Sequence, residues 1–418
     1  MESDYEVIIA GAGPGGSTCA AYLGRAGKKV LLLDRAKFPR DKTCGDALSG
    51  KSMKVIRELG LEEKIEKLPH SEIEGVAFSS PSGAMVAIPF AKNDPNRKGG
   101  TGYCMRRMHT DKMFFDEAKS TPYVTIKENC IVSGVIIENG KAVGVKVIDV
   151  DDGRKEKEFR AKVVVGADGV NSMVARSVLG EKAKLEPKHC CDALRAYYSG
   201  IEGLTPNIEI HFFSSVMPGY FWIFPLENGT ANVGLGLISE DLQKRIKKEK
   251  KTLPLLLEQA IKNEPLIRDR FKNAKLISPA TGWRLPFGSY RRKLAGEGWV
   301  LIGDAASLVD PFSGEGVGNA TASARLAAKK IVEAIDGNDL SYKKLSEYEK
   351  NVWKEIGREL DTSYRMQIAG KWKWLLNRFV QKAATNKEFR ELLAQSLANE
   401  EAKKNFANPL FYLKVLLT

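Results

Sequence analysis

The chain has 418 residues, more than one hydrophobic core usually supports, so two or three structural units are expected. Its 43% hydrophobic and 28% charged residues fit a globular protein, and without a run of about 18 apolar residues a membrane-spanning helix is excluded. The formal net charge of +13 fits a phosphate-bearing substrate, an anionic membrane face or a solvated basic surface; no nucleic-acid module is recognisable, so no nucleic-acid partner is expected.

The first residues, Met1 to Tyr5, are acidic and lead straight into a strand pattern, unlike a signal peptide, so a cytoplasmic location is expected. Residues 6–10 are a short apolar run of the buried parallel type, 17–26 read as a helix stopped by Gly27, and 29–33 as a second buried strand closing on Asp34. A helix over 51–59 stops at Gly60. Residues 73–90 change to short strand-like pieces broken by Pro81, Gly83 and Pro89, and 123–151 carry strands with a hairpin signal at Asn139-Gly140. After a buried strand at 162–166, residues 190–281 alternate and are rich in aromatics, which predicts an antiparallel sheet with one face against something large and apolar. Another buried strand follows at 299–303, then a long helix over 316–336 and a mostly helical tail after 340. The cysteines at 19, 44, 104, 130, 190 and 191 form no CxxC pair and histidines number only 4, so free thiols and no metal site are expected.

Gly11-Ala12-Gly13-Pro14-Gly15-Gly16 follows a strand, opens a helix and is answered by Asp34, the dinucleotide fingerprint in its proper context. The first glycine makes the tight turn, the second admits a pyrophosphate and the last lets helix and strand approach. The helix N-terminus offers free N–H groups to the phosphates, and Asp34 can accept ribose hydroxyls. The motif by itself does not separate NAD from FAD.

Two later stretches, 163–172 around Asp168-Gly169 and 300–306 around Gly303-Asp304, resemble the "DG" and "GD" motifs of the p-hydroxybenzoate-hydroxylase-like flavoproteins. The resemblance implies FAD. It places Asp304 at the ribityl chain, and the helix beginning at Gly314-Glu315-Gly316-Val317 against the flavin ring. It places Arg107, with Arg106 as competitor, near the phosphates. The implied cofactor set is Gly11, Gly13, Gly15, Gly16, Asp34, Cys44, Gly45, Ala47, Arg107, Val132, Asp168, Asp304, Gly316 and Val317.

Lys42-Thr43-Cys44-Gly45-Asp46-Ala47 after Phe38-Pro39, and Tyr220-Phe221-Trp222-Ile223-Phe224-Pro225 followed by Gly234-Leu235-Gly236, resemble the geranylgeranyl reductase family, in particular its archaeal digeranylgeranylglycerophospholipid reductases. The likeness covers residues 5–335. It implies that the cysteine segment borders the flavin and that Tyr220, Trp222, Phe224, Gly234 and Gly236 line a cavity for a polyprenyl chain. Phe212 joins that face by parity if Pro218-Gly219 does not break the strand.

The implied reaction is saturation of geranylgeranyl double bonds, on glycerophospholipids or the free diphosphate, by hydride from reduced flavin N5. Cys44, Asp46 and Tyr220 are the candidate catalytic proton donors, and simple packing against the ring is the alternative for Cys44. A monooxygenase or halogenase on the same scaffold is the competing activity, since the halogenases carry a similar Trp-x-Trp-x-Ile-Pro; a non-catalytic electron-transfer flavoprotein is a third. The electron donor, ferredoxin or NAD(P)H, leaves no second fingerprint.

The expected architecture is α/β: a Rossmann-type FAD-binding domain from residues 1–72, 100–182 and 285–338, an antiparallel-sheet substrate domain from 73–99 and 183–284, and a helical region over 339–418. Some of the positive charge is expected to meet a phosphate headgroup, with Arg284, Arg291 and Arg292 unassigned. Trp372, Leu375, Leu376 and Phe379, flanked by Lys371, Lys373 and Arg378, fit either a basic amphipathic helix on a membrane surface or a cap on the substrate domain; residues 409–417 pose the same choice.

Overall fold

In the computed structural model, residues 4–90 and 102–398 are described. The chain opens with β1 (Tyr5–Ala10), α1 (Pro14–Arg25) and β2 (Val30–Leu33). Val7 to Ala10, Leu31 to Leu33 and Val163 to Val165 are wholly buried, because a parallel sheet is covered on both faces and its strands must be apolar throughout. The order across this sheet is Ala295–Gly296, Trp299–Leu301, Lys155–Gly166, β1, β2 and Val124–Lys127, parallel except at the first pair.

Lys155–Gly166 is long enough to serve twice. Its end pairs with β1, and its beginning pairs antiparallel with Lys141–Asp149, which turns through Asn139 and Gly140, both at positive φ, into Cys130–Glu138. The first helix begins at Pro14, three residues before its expected start. Proline's fixed φ suits the first helical position, where its missing N–H removes nothing.

A second sheet runs Lys275–Leu276, Cys190–Ser199, Thr230–Ile238, Gly219–Leu226, Asn207–His211, Gly75–Ser79 and Met85–Pro89, with Thr281–Pro286 also paired to Cys190–Ser199. It is antiparallel except where Gly75–Ser79 meets Asn207–His211 in parallel. Those two strands come from distant stretches, so no hairpin dictates their relative direction. The condition set at Pro218-Gly219 is not met: Asn207–His211 and Gly219–Leu226 are separate strands, and Pro218 has no N–H to extend the ladder.

The helices Tyr342–Val352, Arg358–Ala369, Lys373–Thr385 and Lys387–Ala398 follow, the first two joined through a widened π turn at Trp353–Gly357. Tyr348, fully buried, donates to the Leu301 carbonyl at 2.8 Å and moors this region to the parallel sheet. Val380 and Ala383 pack with Val86, Ile88, Phe389 and Leu393. The apolar stripe of the Lys373–Thr385 helix therefore covers the second sheet, while Trp372 at its start stays 55% exposed. Residues 409–417 lie outside the described residues, and no described helix is long and apolar enough to cross a membrane.

Close packing makes one glycine irreplaceable for the fold. A Cβ on Gly16 would lie 1.8 Å from the Gly11 carbonyl oxygen. Gly16→Ala is expected to destabilise the protein by about 1–3 kcal/mol, the usual penalty of overpacking, in denaturant unfolding; wild-type stability would refute this close approach.

Candidate active site

The turn after β1 sets the cofactor cradle. Gly11 has φ +97°, and a Cβ there would lie 2.4 Å from the Ala167 carbonyl oxygen. At Gly13 a Cβ would meet only Arg40 Nη2, at 3.6 Å, so this face of the turn is open to a ligand beside the free N–H groups of α1. Asp34 braces the turn: its carboxylate accepts from Ala12 N at 2.7 Å and from Ala36 N at 2.8 Å. A carboxylate has about four acceptor positions, so two remain for ribose hydroxyls. At Gly15 a Cβ would lie 3.4 Å from Ala320, an ordinary van der Waals contact. Val132 is half-buried beside Cys130, whose N–H donates to the Asp34 carbonyl at 2.8 Å.

Beside the turn stands a cluster of positive charge. Asp111, fully buried, accepts from Arg107 at 2.5 and 3.0 Å and from Arg40 at 2.9 Å. Lys42 lies 3.5 Å over the Trp283 ring, and burial together with the Arg107 charge lowers its pKa to about 7. Burial raises the Asp304 carboxyl, with Lys42 and Arg107 pulling the other way. Arg106 turns elsewhere: it pairs with Glu227 at 2.8 Å and lies 4.4 Å over Tyr197. Of the two arginines, only Arg107 joins the Asp111 cluster that includes Arg40 beside the glycine turn.

Asp168, expected to contact the cofactor, holds the loop that follows its strand. Its carboxylate accepts from the Ser172 hydroxyl and from Met173 N at 2.7 Å, capping the helix Met173–Leu179, so it shapes the loop. Gly316 caps the helix Val317–Asp336, and a Cβ there would lie 3.6 Å from Asp304 Oδ1. Open glycine cradle, basic cluster and helix start thus fit a dinucleotide with a flavin end.

A cavity of about 1300 Å³ extends from Cys44, Gly45 and Ala47, past Gly316 and Val317, to the tail helices. One wall is the strand Gly219–Leu226, whose alternate residues Tyr220, Trp222 and Phe224 stand at ring separations of 6.0 and 6.2 Å. Phe212 joins this wall across the break between the two strands, 6.3 Å from Tyr220. On the neighbouring strand Gly234 faces Trp222, whose ring would be 2.3 Å from a Cβ there. Gly234 is therefore covered by the indole and does not line the cavity, contrary to expectation, whereas Gly236 does.

The residue that sequence reasoning missed is Asn232, fully buried. Its amide donates to the Cys44 carbonyl at 2.6 Å and to Asp46 at 2.8 Å, while its oxygen accepts from Trp222 Nε1 at 2.9 Å. Asp46, at φ +71°, also accepts from Tyr197 at 2.9 Å and from Arg107 N at 3.1 Å. Burial pushes the Asp46 carboxyl up to about 6, although Asn232, Tyr197 and Arg195 favour its charged form. Both its oxygens are engaged, which makes it a latch on the cysteine segment. Tyr220 donates to the Ser313 carbonyl at 2.7 Å, and burial pushes its phenol upward. Burial likewise raises the Cys44 thiol against the pull of Arg107, so it holds its proton at neutral pH. No signal in the sequence marked Asn232; it sits in the strand facing the aromatic motif, two residues before Gly234.

The arginines left unassigned are used internally: Arg284 pairs with Asp192 at 2.7 Å, Arg291 with Asp361 at 2.7 Å, and Arg292 is buried against the carbonyls of Ala305 and Ala183. Cavity-bordering cations without an ion pair among the described residues are Lys54, Lys354 and Arg358.

Fold and site together define an FAD-dependent oxidoreductase, and residues 4–352 match the family described as FAD binding domain. The chain is 32% identical over 375 residues to the digeranylgeranylglycerophospholipid reductase of Methanocella arvoryzae, covering 88% of this chain and 87% of that one. It belongs to the geranylgeranyl reductase family. Its fold is similar to that of a geranylgeranyl bacteriochlorophyll reductase-like protein from Thermoplasma acidophilum (TM-score 0.82, 25% identity, 96% of this chain and 98% of that one). The flavin-dependent brominase Bmp2 shares the scaffold, with TM-score 0.79 and 25% identity over 98% of this chain and 99% of that one.

Gly13→Val is expected to leave the fold intact and abolish FAD retention, read by flavin absorbance of the purified protein beside its circular dichroism; normal retention would contradict the open face. Asp46 gives a pH signature. Its folded pKa lies above the ordinary carboxylate value, so the stability it confers is complete below about pH 4 and is lost as pH rises through 6. Wild type is expected to lose on the order of 2–3 kcal/mol over that window that Asp46→Asn does not lose, measured by denaturant unfolding at each pH.

Proposed function

We propose that the protein saturates the double bonds of geranylgeranyl chains carried on phosphate-bearing isoprenoid lipids, glycerophospholipids or the diphosphate. The observation that carries this reading is the aromatic-walled cavity of about 1300 Å³ bordering the cysteine segment. It exceeds the roughly 300–1,000 Å³ of ordinary small-molecule pockets and suits a long apolar chain. The names of the relatives point the same way.

FAD, bound and reduced by an external donor such as ferredoxin or NAD(P)H, supplies the hydride. An isolated alkene has no carbonyl to polarise, so the protein's contribution is positioning and exclusion of water. Gly13, Arg40, Lys42, Arg107 and Asp304 would hold the cofactor. Tyr220, Trp222 and Phe224 would align the chain. Cys44, a protonated thiol at the cavity wall, delivers the proton to the second carbon; Asp46 and Tyr220 are committed to other partners. Lys54, Lys354 and Arg358 are the cations that suit a phosphate headgroup. The shared scaffold of the brominase supports a second reading, an oxygen-dependent monooxygenase or halogenase.

Chemically reduced enzyme, incubated without oxygen with geranylgeranyl lipids, is expected to yield saturated chains by mass spectrometry. Strict oxygen dependence would transfer the assignment to the second reading, and absence of turnover despite reversible reduction would leave an electron-transfer flavoprotein. In the same assay Cys44→Ala should keep FAD and lose on the order of a hundredfold in turnover; an unaltered rate would remove Cys44 from the proton path.

A further inference from the structure

The turn between the helices Arg358–Ala369 and Lys373–Thr385 leaves an unusual surface. Trp372 and Trp374 are 55% and 56% exposed and stack on each other at 6.5 Å, and Ile368, one turn earlier, is 45% exposed. None of the three lines the cavity, yet Ala369 and Gly370 between them and Leu375 just after them do, so the apolar tip stands at one end of the cavity. Large apolar side chains grouped on a surface mark a contact with something apolar, and indole rings favour the boundary between a bilayer and water.

The neighbouring surface carries positive charge. Lys371, in the same turn, pairs at 3.2 Å with Asp241 near the start of the helix Ser239–Glu249. Three and seven residues beyond Asp241 on that helix, Lys244 and Lys248 share its face and are exposed; Lys244 pairs with Glu240 at 2.9 Å, and Lys248 has no ion pair among the described residues. Lys373 stands exposed between the two tryptophans without an ion pair among the described residues. The densest basic run of the sequence, 245–251, thus belongs to an element tied directly to the tryptophan turn.

We propose that this surface docks the protein on an anionic lipid bilayer, with Trp372 and Trp374 entering the headgroup boundary and the Ser239–Glu249 helix lying over the anionic headgroups. Apolar insertion and electrostatic attraction are the two contributions that hold a peripheral protein on such a surface. Docking there sets one end of the cavity against the membrane. The inference deepens the lipid-substrate reading, but its test needs no turnover, so the two can fail separately.

FAD-loaded full-length protein is mixed with vesicles of phosphatidylcholine alone, or of roughly three parts phosphatidylcholine to one of phosphatidylglycerol, and floated on a density gradient. Wild type is expected to float with the anionic vesicles, less at high salt, and weakly with the neutral ones. Trp372→Ala/Trp374→Ala and Lys244→Glu/Lys248→Glu should each lower partition by about tenfold or more while retaining the flavin spectrum. Wild type left in the soluble fraction with both vesicles would overturn the proposal, as would both double variants floating like wild type. Failure to float combined with salt-sensitive capture by an acidic electron-donor protein would reassign the surface to that partner.

Discussion

The amide of Asn232 joins the two halves of the active site. Its nitrogen holds the Cys44 carbonyl and the Asp46 carboxylate, and its oxygen holds the indole of Trp222, all in the protein interior. A buried polar group left unpaired costs roughly 1–3 kcal/mol, so the aromatic wall and the cysteine segment are fixed relative to each other as one unit. Tyr197 strengthens the joint. Its ring lies between the guanidinium groups of Arg106 and Arg195, at 4.4 and 4.1 Å, and its hydroxyl reaches Asp46. Asp46 can remain at a positive φ because four surrounding donors and cations define its position.

Around that joint the molecule keeps its charges in compensated groups. Asp111 sits between Arg40 and Arg107, Lys42 lies over Trp283 opposite Asp304, and Arg284, Arg291 and Arg292 meet carboxylates or carbonyls. Arg40 and Arg107 share the single carboxylate of Asp111, so positive charge remains beside the glycine turn. Further cations without an ion pair among the described residues, Lys54, Lys354 and Arg358, border the cavity.

The parts of the site that depend on local backbone chemistry were legible in the sequence. Gly11, Gly13 and Gly16 answer demands within a single strand–turn–helix unit, and the alternation of Tyr220, Trp222 and Phe224 follows from strand geometry. The hairpin at Asn139-Gly140 came from the preference of these residues for positive φ. Asn232 was not legible, since a lone polar residue in a strand acquires its role only from the segments that pack beside it. Gly234 was misplaced for the same reason, since a neighbouring ring covers it.

The stripe in the tail shows where the division falls. Periodicity identified Leu376 and Phe379 as one face of a helix, and it could not choose between lipid and protein, because both present the same apolar environment. The second sheet decided the matter by offering Val86 and Ile88 as partners, which left the tryptophans at the turn outside. What the sequence by itself determined is the class of cofactor and the kinds of surface, because backbone conformation and side-chain period are local. Tertiary structure alone decided which face meets which partner, which arginine joins the Asp111 cluster and how the cysteine segment is held, because these depend on contacts between residues far apart along the chain.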